Sequence, residues 1–172
     1  MTSFTLDTQT IILLFATFLT GLSSGLCFAW ANTVIPGIGQ LDNLSYLKSF
    51  QQMNRVIINP MFMVVFFGPL FLHVANVLLF RAYSTTIFGL LAVSASLYIL
   101  GVGFVTIFGN VPSNEILDKV DLAKARSEEL HLLRNRFEVR WRRLHFVRTV
   151  TGTLSFVLLL ISITLISKHI NL

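Results

Sequence analysis

Four long apolar stretches constrain the fold of this chain more than any other feature. They cover residues 11–33, 60–80, 85–109 and 147–167, and only Arg148, at the margin of the last one, is charged. A helix needs roughly 20 mostly apolar residues to cross a hydrocarbon core about 30 Å thick. Because lipid offers no hydrogen bonds to a free backbone, the stretches predict four transmembrane helices packed as a bundle.

The rest of the sequence is too short for a second soluble domain. The chain has 172 residues and a mean hydropathy of +0.75, so residues 1–172 are expected to form one all-α transmembrane domain. Apolar residues recur at helical spacing in segment 44–58, which predicts an additional amphipathic helix on the cytoplasmic side. A similar spacing through Leu130, Phe137 and Trp141 predicts that the last span continues as a helix beyond the membrane.

Basic residues are distributed unevenly between the two sides of the predicted bundle. Four spans put both termini on one side, and that side carries only Arg81 and Lys168 of the 13 lysines and arginines. By the positive-inside rule, the two long loops are expected in the cytoplasm and both termini outside. The leader before the first span contains no lysine or arginine, which is unlike a cleaved signal peptide and suits a bacterial inner membrane protein.

The densest run of arginines lies directly against the last span. It begins at Arg134 and ends at Arg148, with four further arginines between them. Such a run could contact nucleic acid, but its position beside a membrane span favours anionic lipid headgroups. We therefore expect membrane lipids, and no nucleic acid, as partners of this segment.

Polar residues collect where the four spans meet the cytoplasmic side. Trp141, His145 and Arg148 are separated by four and then three residues, so they share one face of a helix. Side chains converging from all four spans predict a concave polar pocket at the membrane boundary. His145 is the candidate base, because no Asp or Glu lies within a span. The complete cluster comprises Trp30, Asn54, Asn59, Asn110, Asn114, Trp141, His145 and Arg148.

Five of these residues also have a purely structural interpretation. Asn59 before Pro60 is typical of a helix start, where asparagine caps free N–H groups and proline fits the first turn. Asn110 could close the third span, with Pro112 preventing its continuation. The first span is likewise expected to end near Pro36. The remaining three would anchor the bundle at the membrane interface: Trp30, Trp141 and Arg148.

No pattern for a metal or a cofactor is evident. The sequence has no Cys/His metal set and no Glu-x-x-His pattern. His73, His145 and His169 are predicted at different depths, so no two of them match as haem ligands. We therefore expect no cofactor and no metal. His73 is expected to be a polar group satisfied within or between helices, and Cys27 a small buried apolar side chain.

The polar residues follow an order that resembles a known family. The order is Trp30, Pro36-Gly37, Met53-Asn54, Asn59-Pro60-x-Phe62, Pro69, Thr106, Asn110-Val-Pro-x-Asn114, Leu117, Trp141, His145 and Arg148. Together with the four spans, it resembles the anthrone oxygenase family of small membrane proteins over residues 15–152. The resemblance implies a monooxygenase that converts an anthrone to an anthraquinone with molecular oxygen, the activity assigned to fungal members.

A chemical hypothesis for such an activity needs neither haem nor flavin. An anthrone carries an acidic C–H group opposite the carbonyl group of its central ring and conjugated with it through the aromatic rings, and its enolate is electron-rich enough to reduce oxygen directly. His145 would take the proton, and the amides of Asn54, Asn110 and Asn114 would hydrogen-bond the enolate oxygen. The two tryptophans would stack on flat rings. The expected substrate-binding residues are Trp30, Asn54, Asn59, Asn110, Asn114, Trp141 and Arg148.

Functions of different classes stay open at this point. One is a membrane enzyme acting on a flat, lipophilic, phenolic or quinoid substrate drawn from the bilayer. The other is a non-catalytic protein, either a partner-binding subunit or a lipid- or quinone-binding protein, whose polar cluster only joins helix ends. An open cavity would favour the first, and asparagines fully paired to backbone the second. A transporter is the weakest alternative, because the spans carry no coupling charge and one unit would have to oligomerise. The sequence leaves a homo-oligomer open.

Overall fold

Every regular element in the described part of the chain is a helix. The computed structural model describes residues 7–170, with side chains through residue 168. The first six residues of the leader and the side chain of His169, both used in the sequence arguments, lie outside the described residues. The five helices are α1 (Thr8–Gly39), α2 (Asn43–Ile57), α3 (Pro60–Leu79), α4 (Thr85–Asp118) and α5 (Ser127–Ile170).

Four of these helices form the membrane bundle. Helices α1, α3, α4 and α5 are each long and apolar enough to span a bilayer. Helix α1 packs against α3 and α5, and α4 packs against the same two helices, so the four close into a ring. Helix α5 has 44 residues. At about 1.5 Å per residue it is roughly twice as long as the hydrocarbon core is thick. The predicted all-α transmembrane bundle, with an extra amphipathic helix and a long last helix, is therefore confirmed.

Polar side chains fix the starts of the helices. The carboxylate of Asp42 accepts hydrogen bonds from the backbone N–H groups of Leu44 and Ser45 at the start of α2. A hydrogen bond from the Ser45 side chain, together with these backbone bonds, stabilises the charged form and lowers the pKa of the Asp42 carboxyl group. The Asn59 side chain accepts a 3.0 Å bond from the N–H of Phe62 at the start of α3. Asn59 thus caps its helix, as the structural interpretation of the sequence proposed.

Helices α1 and α4 continue past the prolines that the sequence suggested would end them. Each contains a π-helical turn, Trp30–Val34 or Thr106–Asn110, directly before an α-helical segment that carries the proline in its first turn. Proline normally clashes with the carbonyl group four residues earlier and cannot donate to it. The wider π turn moves that carbonyl group away. The expected helix ends were wrong because periodicity does not reveal this change of helix type.

Helix α2 and the extension of α5 beyond the membrane spans pack together at one end of the bundle, which we call the basic end. Their shared core includes Tyr46, Phe50 and Phe137, all buried, together with Leu117 at the end of α4. The Phe50 ring meets those of Phe137 and Trp141 edge to face, with centroids 4.9 and 5.0 Å apart. The apolar face of the α5 extension is therefore covered by α2.

The arginines of the α5 extension divide into two groups. Arg136, Arg140, Arg142 and Arg143 are exposed, and their predicted contact with anionic lipid headgroups stays a prediction. Arg134 and Arg148 point into the protein instead, where Arg134 donates to backbone carbonyl groups and Arg148 is 9% exposed. Proximity to the membrane therefore accounts only for the exposed arginines.

A polar layer lies in the middle of the bundle. His73 on α3 is buried, and its Nε2 lies 3.2 Å from Thr20 Oγ1 and 3.4 Å from Ser155 Oγ. Ser155 in turn bonds to Ser94 over 2.9 Å. His73 thus links α1, α3 and α5, which confirms its expected role as a polar group satisfied between helices.

Close approach between α4 and α5 depends on Gly101. A Cβ atom at this position would come within 2.6 Å of Thr151 Cγ2 and would also overlap the Thr151 Cβ atom, so rotating the threonine does not relieve the contact. We expect Gly101→Ala to destabilise the bundle by about 1–3 kcal/mol, with a lower melting temperature in detergent micelles. The matched control is Gly89→Ala on the same helix, where nothing lies within 4 Å. An unchanged melting temperature for Gly101→Ala would contradict this packing.

Candidate functional site

A cavity of about 430 Å³ lies at the basic end, where α2 packs against α1, α4 and α5. Its size falls in the range of roughly 300–1,000 Å³ that is usual for small-molecule sites. Most of its surface is apolar, with polar groups at a few positions. The lining residues are Leu26, Cys27, Trp30, Asn54, Arg55, Ile57, Ile58, Phe62, Met63, Phe67, Thr106, Asn110, Val111, Asn114, Glu115, Asp118, Lys119, Trp141, His145 and Arg148.

The cavity brings together seven of the eight residues predicted from the sequence. Those seven are Trp30, Asn54, Asn110, Asn114, Trp141, His145 and Arg148. The eighth, Asn59, is exposed and is not part of the lining; its amide donates to the carbonyl groups of Val56 and Ile57. The structure therefore supports a capping role for Asn59 and offers it no contact with a ligand in this cavity.

The π-helical turns position two of the cavity's polar side chains. Trp30 is the first residue of the turn in α1, and Asn110 is the last residue of the turn Thr106–Asn110 in α4. A π turn inserts extra backbone into a helix and changes the direction in which the following side chains point. Turns of this kind frequently occur at functional sites, and here both lie beside the same cavity.

Trp141 supports the other polar groups of the cavity. Its ring stacks on that of His145, with centroids 4.8 Å apart and an interplanar angle of 15°. Its Nε1–H donates to Asn114 Oδ1 over 2.9 Å, and its backbone carbonyl accepts from Asn110 Nδ2 over 3.4 Å. Because Trp141 is buried and already stacked, Trp30, which is only half-buried, has the freer ring for a flat ligand.

The hydrogen bond of His145 defines which nitrogen of its neutral ring carries the proton. His145 is buried, and its Nε2 lies 3.0 Å from the backbone carbonyl oxygen of Cys27. A carbonyl oxygen only accepts, so Nε2 must donate and Nδ1 carries the lone pair. Nδ1 is buried and has no protein partner among the described residues. His145 thus presents an oriented acceptor that can take a proton.

Arg148 places a positive charge inside the protein. Arg148 is 9% exposed, and its guanidinium group lies 5.2 Å from the centre of the Phe66 ring. Nη2 of Arg148 lies 3.6 Å from the Cys27 sulfur, and a thiol sulfur is a weak acceptor. No carboxylate of residues 7–168 forms an ion pair with Arg148. The guanidinium therefore carries a charge that the described side chains do not neutralise.

Unpartnered polar atoms are concentrated on the residues that line this cavity. Folded proteins leave few buried polar atoms without a hydrogen bond, so a cluster of them indicates a ligand or water. The described residues contain eight such side-chain atoms, and five belong to residues that line the cavity. Three are donors and two are acceptors. The five atoms are Trp30 Nε1, Asn54 Nδ2, Arg148 Nε, Asn110 Oδ1 and His145 Nδ1.

The mouth of the cavity combines charged and apolar groups. Arg55 on α2 donates to Asp118 at the end of α4 over 2.7 Å, and both side chains are about half exposed. Leu26, Ile58 and Met63 are exposed apolar members of the lining. In a bilayer such side chains contact lipid, so a lipophilic molecule could reach the cavity without crossing the charged part of the mouth.

Two contributions could not be read from the sequence. The backbone carbonyl of Cys27 orients His145, and its side chain contacts Arg148, although the sequence indicated only a small buried residue. The Phe66 ring lies beside the Arg148 guanidinium. Neither has a recognisable signal, because a carbonyl group is present at every residue and phenylalanine is common in all the spans. The π turns, by contrast, could have been suspected from Pro36 and Pro112 in otherwise helical segments.

The fold and the cavity together define a polytopic membrane protein with a polar site at one end of its bundle. A model of the anthrone oxygenase family matches residues 62–158, more than half of the chain. The chain therefore belongs to the anthrone oxygenase family, and the resemblance seen in the sequence is confirmed. No match was found among curated proteins or among solved structures. The matched part contains five of the seven predicted residues that line the cavity: Asn110, Asn114, Trp141, His145 and Arg148.

Proposed function

We propose that this protein oxidises a flat, lipophilic anthrone-type substrate with molecular oxygen, and that the substrate itself supplies the electrons. The observation that carries the proposal is the unpartnered Nδ1 of His145, an oriented acceptor on a residue that lines the cavity of a family member. Such an atom is suited to remove a proton from an acidic C–H group. The reaction then begins with an enolate.

Arg148 and Asn54 are the donors best placed to stabilise the enolate oxygen. Arg148 Nε and Asn54 Nδ2 are both buried and free to donate. Donors already in place where negative charge develops lower the barrier, because they need no reorganisation. Arg148 thus has a larger role in the proposal than the sequence suggested, where asparagines alone were assigned to the oxyanion.

Asn110 has a different role from the one suggested by the sequence. Its Nδ2 donates to the backbone carbonyl of Trp141, and its Oδ1 is left as a free acceptor. A free acceptor does not stabilise an enolate oxygen. It accepts a hydrogen bond from a phenolic hydroxyl group, so Asn110 favours a hydroxylated ring over a bare one.

The proposed oxidation balances without a further reductant. The enolate transfers one electron to oxygen, and the carbon radical and superoxide combine, so a C–O bond forms and a hydroperoxide results. Loss of the second C–H proton then breaks the O–O bond, giving a carbonyl group and water. One oxygen atom enters the quinone and the other leaves as water, while the substrate loses both hydrogens. The protein contributes a base, oxyanion donors and an apolar cavity.

The alternative of a purely structural cluster predicts asparagines that are fully paired. The Asn114 Oδ1 atom does pair with Trp141, but Asn54 Nδ2 and Asn110 Oδ1 are unpartnered beside a cavity of about 430 Å³. This arrangement favours ligand binding. A protein that binds the same ring without turning it over would have the same cavity, so only an activity measurement separates enzyme from binding protein.

The proposed orientation places the basic end in the cytoplasm. Arg136, Arg140 and Arg143 project from this end, beside the predicted membrane surface. The substrate would then enter from the bilayer past Ile58 and Met63, and a quinone would leave the same way. This route suits a substrate that is more soluble in lipid than in water.

Oxygen uptake tests the proposed function. Detergent-purified protein is given a hydroxylated anthrone in an oxygen electrode, with quinone formation followed by its visible absorbance. We expect uptake and quinone formation in equal amounts, well above the rate of boiled protein, which accounts for autoxidation. A rate equal to the boiled control, with the ring still bound by the protein, would support the non-catalytic alternative.

A further inference from the structure

We propose that the cavity selects a negatively charged ligand, an aromatic ring that carries a carboxylate or a phenolate and places it against Arg148. The inference rests on the proposed function, because it takes the same cavity as the substrate site. It adds a property of the ground-state ligand that the reaction itself does not require, since a neutral anthrone could be deprotonated after binding.

The contacts around the Arg148 guanidinium are incomplete. A guanidinium group has five N–H donors and stays charged in proteins. The protein atoms described here provide a sulfur at 3.6 Å and the face of Phe66 at 5.2 Å, while Nε has no acceptor. A buried charge is costly unless it is paired and hydrogen-bonded. An anionic ligand group supplies both.

The charges near the cavity mouth do not replace such a ligand. Asp118 already pairs with Arg55 over 2.7 Å, and Glu115 is exposed. Neither forms an ion pair with Arg148 in the described structure. With the exposed Lys119, which also lines the cavity, these side chains carry two positive and two negative charges, whereas the buried Arg148 leaves the interior of the cavity positive.

The remaining lining favours an aromatic anion over a simple one. Phe62 and Phe67 face the cavity from α3, and the half-buried Trp30 faces it from α1. Asn54 Nδ2 and Trp30 Nε1 add two free donors for oxygen atoms of the ligand. A small inorganic anion would satisfy Arg148 and leave the aromatic walls without contact.

Two fluorescent probes of nearly equal shape test the inference. Binding of 9-anthracenecarboxylate and of neutral 9-anthracenemethanol is measured by fluorescence with the protein in detergent micelles. We expect the carboxylate to bind about tenfold or more tightly, the effect of one hydrogen bond to a charged group. This comparison uses the unmodified protein, so it does not depend on a variant that folds.

Variants locate the source of the preference. We expect Arg148→Gln to abolish the preference and Arg148→Lys to retain part of it, with the neutral probe bound equally by all. The matched control is Arg143→Gln, which removes a positive charge from an exposed position on the same helix. Equal affinity of both probes for the unmodified protein, or an unchanged preference in Arg148→Gln, would overturn the inference. If oleate bound as tightly as 9-anthracenecarboxylate, the proposed preference for an aromatic ring would be refuted.

The outcome is independent of turnover. A preference for the carboxylate in a protein that consumes no oxygen would refute the proposed function and leave this inference intact. Anthrone oxidation without any preference between the two probes would refute the inference alone.

Discussion

Replacement of His145 by glutamine is expected to reduce the rate of anthrone oxidation by about 10²–10⁴-fold, the usual contribution of a positioned general base. In the unmodified protein, His145 Nε2 lies 3.0 Å from the Cys27 carbonyl oxygen. Glutamine has an amide N–H group near the same position, so it can still donate to that oxygen. It cannot take a proton. Ring binding should therefore change little while kcat falls, as measured by oxygen uptake and probe fluorescence.

A second histidine on α5 provides the control. His131 is exposed, bonds to Asn135 and does not line the cavity. His131→Gln should leave both kcat and the melting temperature unchanged. Nitrogen NMR of the unmodified protein adds an independent readout, because the Cys27 hydrogen bond requires neutral His145 to be protonated at Nε2. Full activity in His145→Gln would exclude the proposed base.

The membrane fold follows from the sequence because few structures satisfy its constraints. Apolar stretches of bilayer length leave only helices, and the spacing of apolar residues in 44–58 is enough to predict α2. The ends of α1 and α4 could not be predicted from the sequence, because the effect of Pro36 and Pro112 depends on the π turns before them. Helix type is decided by packing and backbone geometry that residue periodicity does not record.

The candidate site could be predicted as a set of residues but not as a set of contacts. Polar residues at the same end of four spans must lie near one another, and seven of the eight do share a cavity. Their individual partners depend on distances of a few tenths of an ångström. Asn59 shows the limit, since its sequence context fitted both a helix cap and a ligand contact and the structure supports the cap.

Arg134 is expected to have the largest effect on stability among the arginines of the α5 extension. Its guanidinium donates to the carbonyl oxygens of Gly39 and Leu41, each over 2.7 Å, and to Glu138 over 3.0 Å. It also lies 4.3 Å from the centre of the Tyr46 ring. One side chain, 14% exposed, thus joins α5 to the end of α1 and the start of α2.

Arg134→Gln should lower the free energy of unfolding by an amount on the order of 3 kcal/mol, because carbonyl groups at the end of α1 and the half-buried Glu138 lose a charged donor. Arg134→Lys keeps the charge but loses the planar fork of the guanidinium group. Its free energy of unfolding should therefore lie between those of the unmodified protein and Arg134→Gln. Arg136→Gln is the control, since Arg136 is exposed on the same helix. Thermal unfolding in micelles measures the stability of all three variants.

Amide hydrogen exchange should also accelerate at the start of α2 in Arg134→Gln alone. Unchanged exchange and an unchanged melting temperature in that variant would show that α2 is held by its apolar core. Because α2 carries Asn54 and Arg55 into the cavity, loosening it should also weaken binding of the ring.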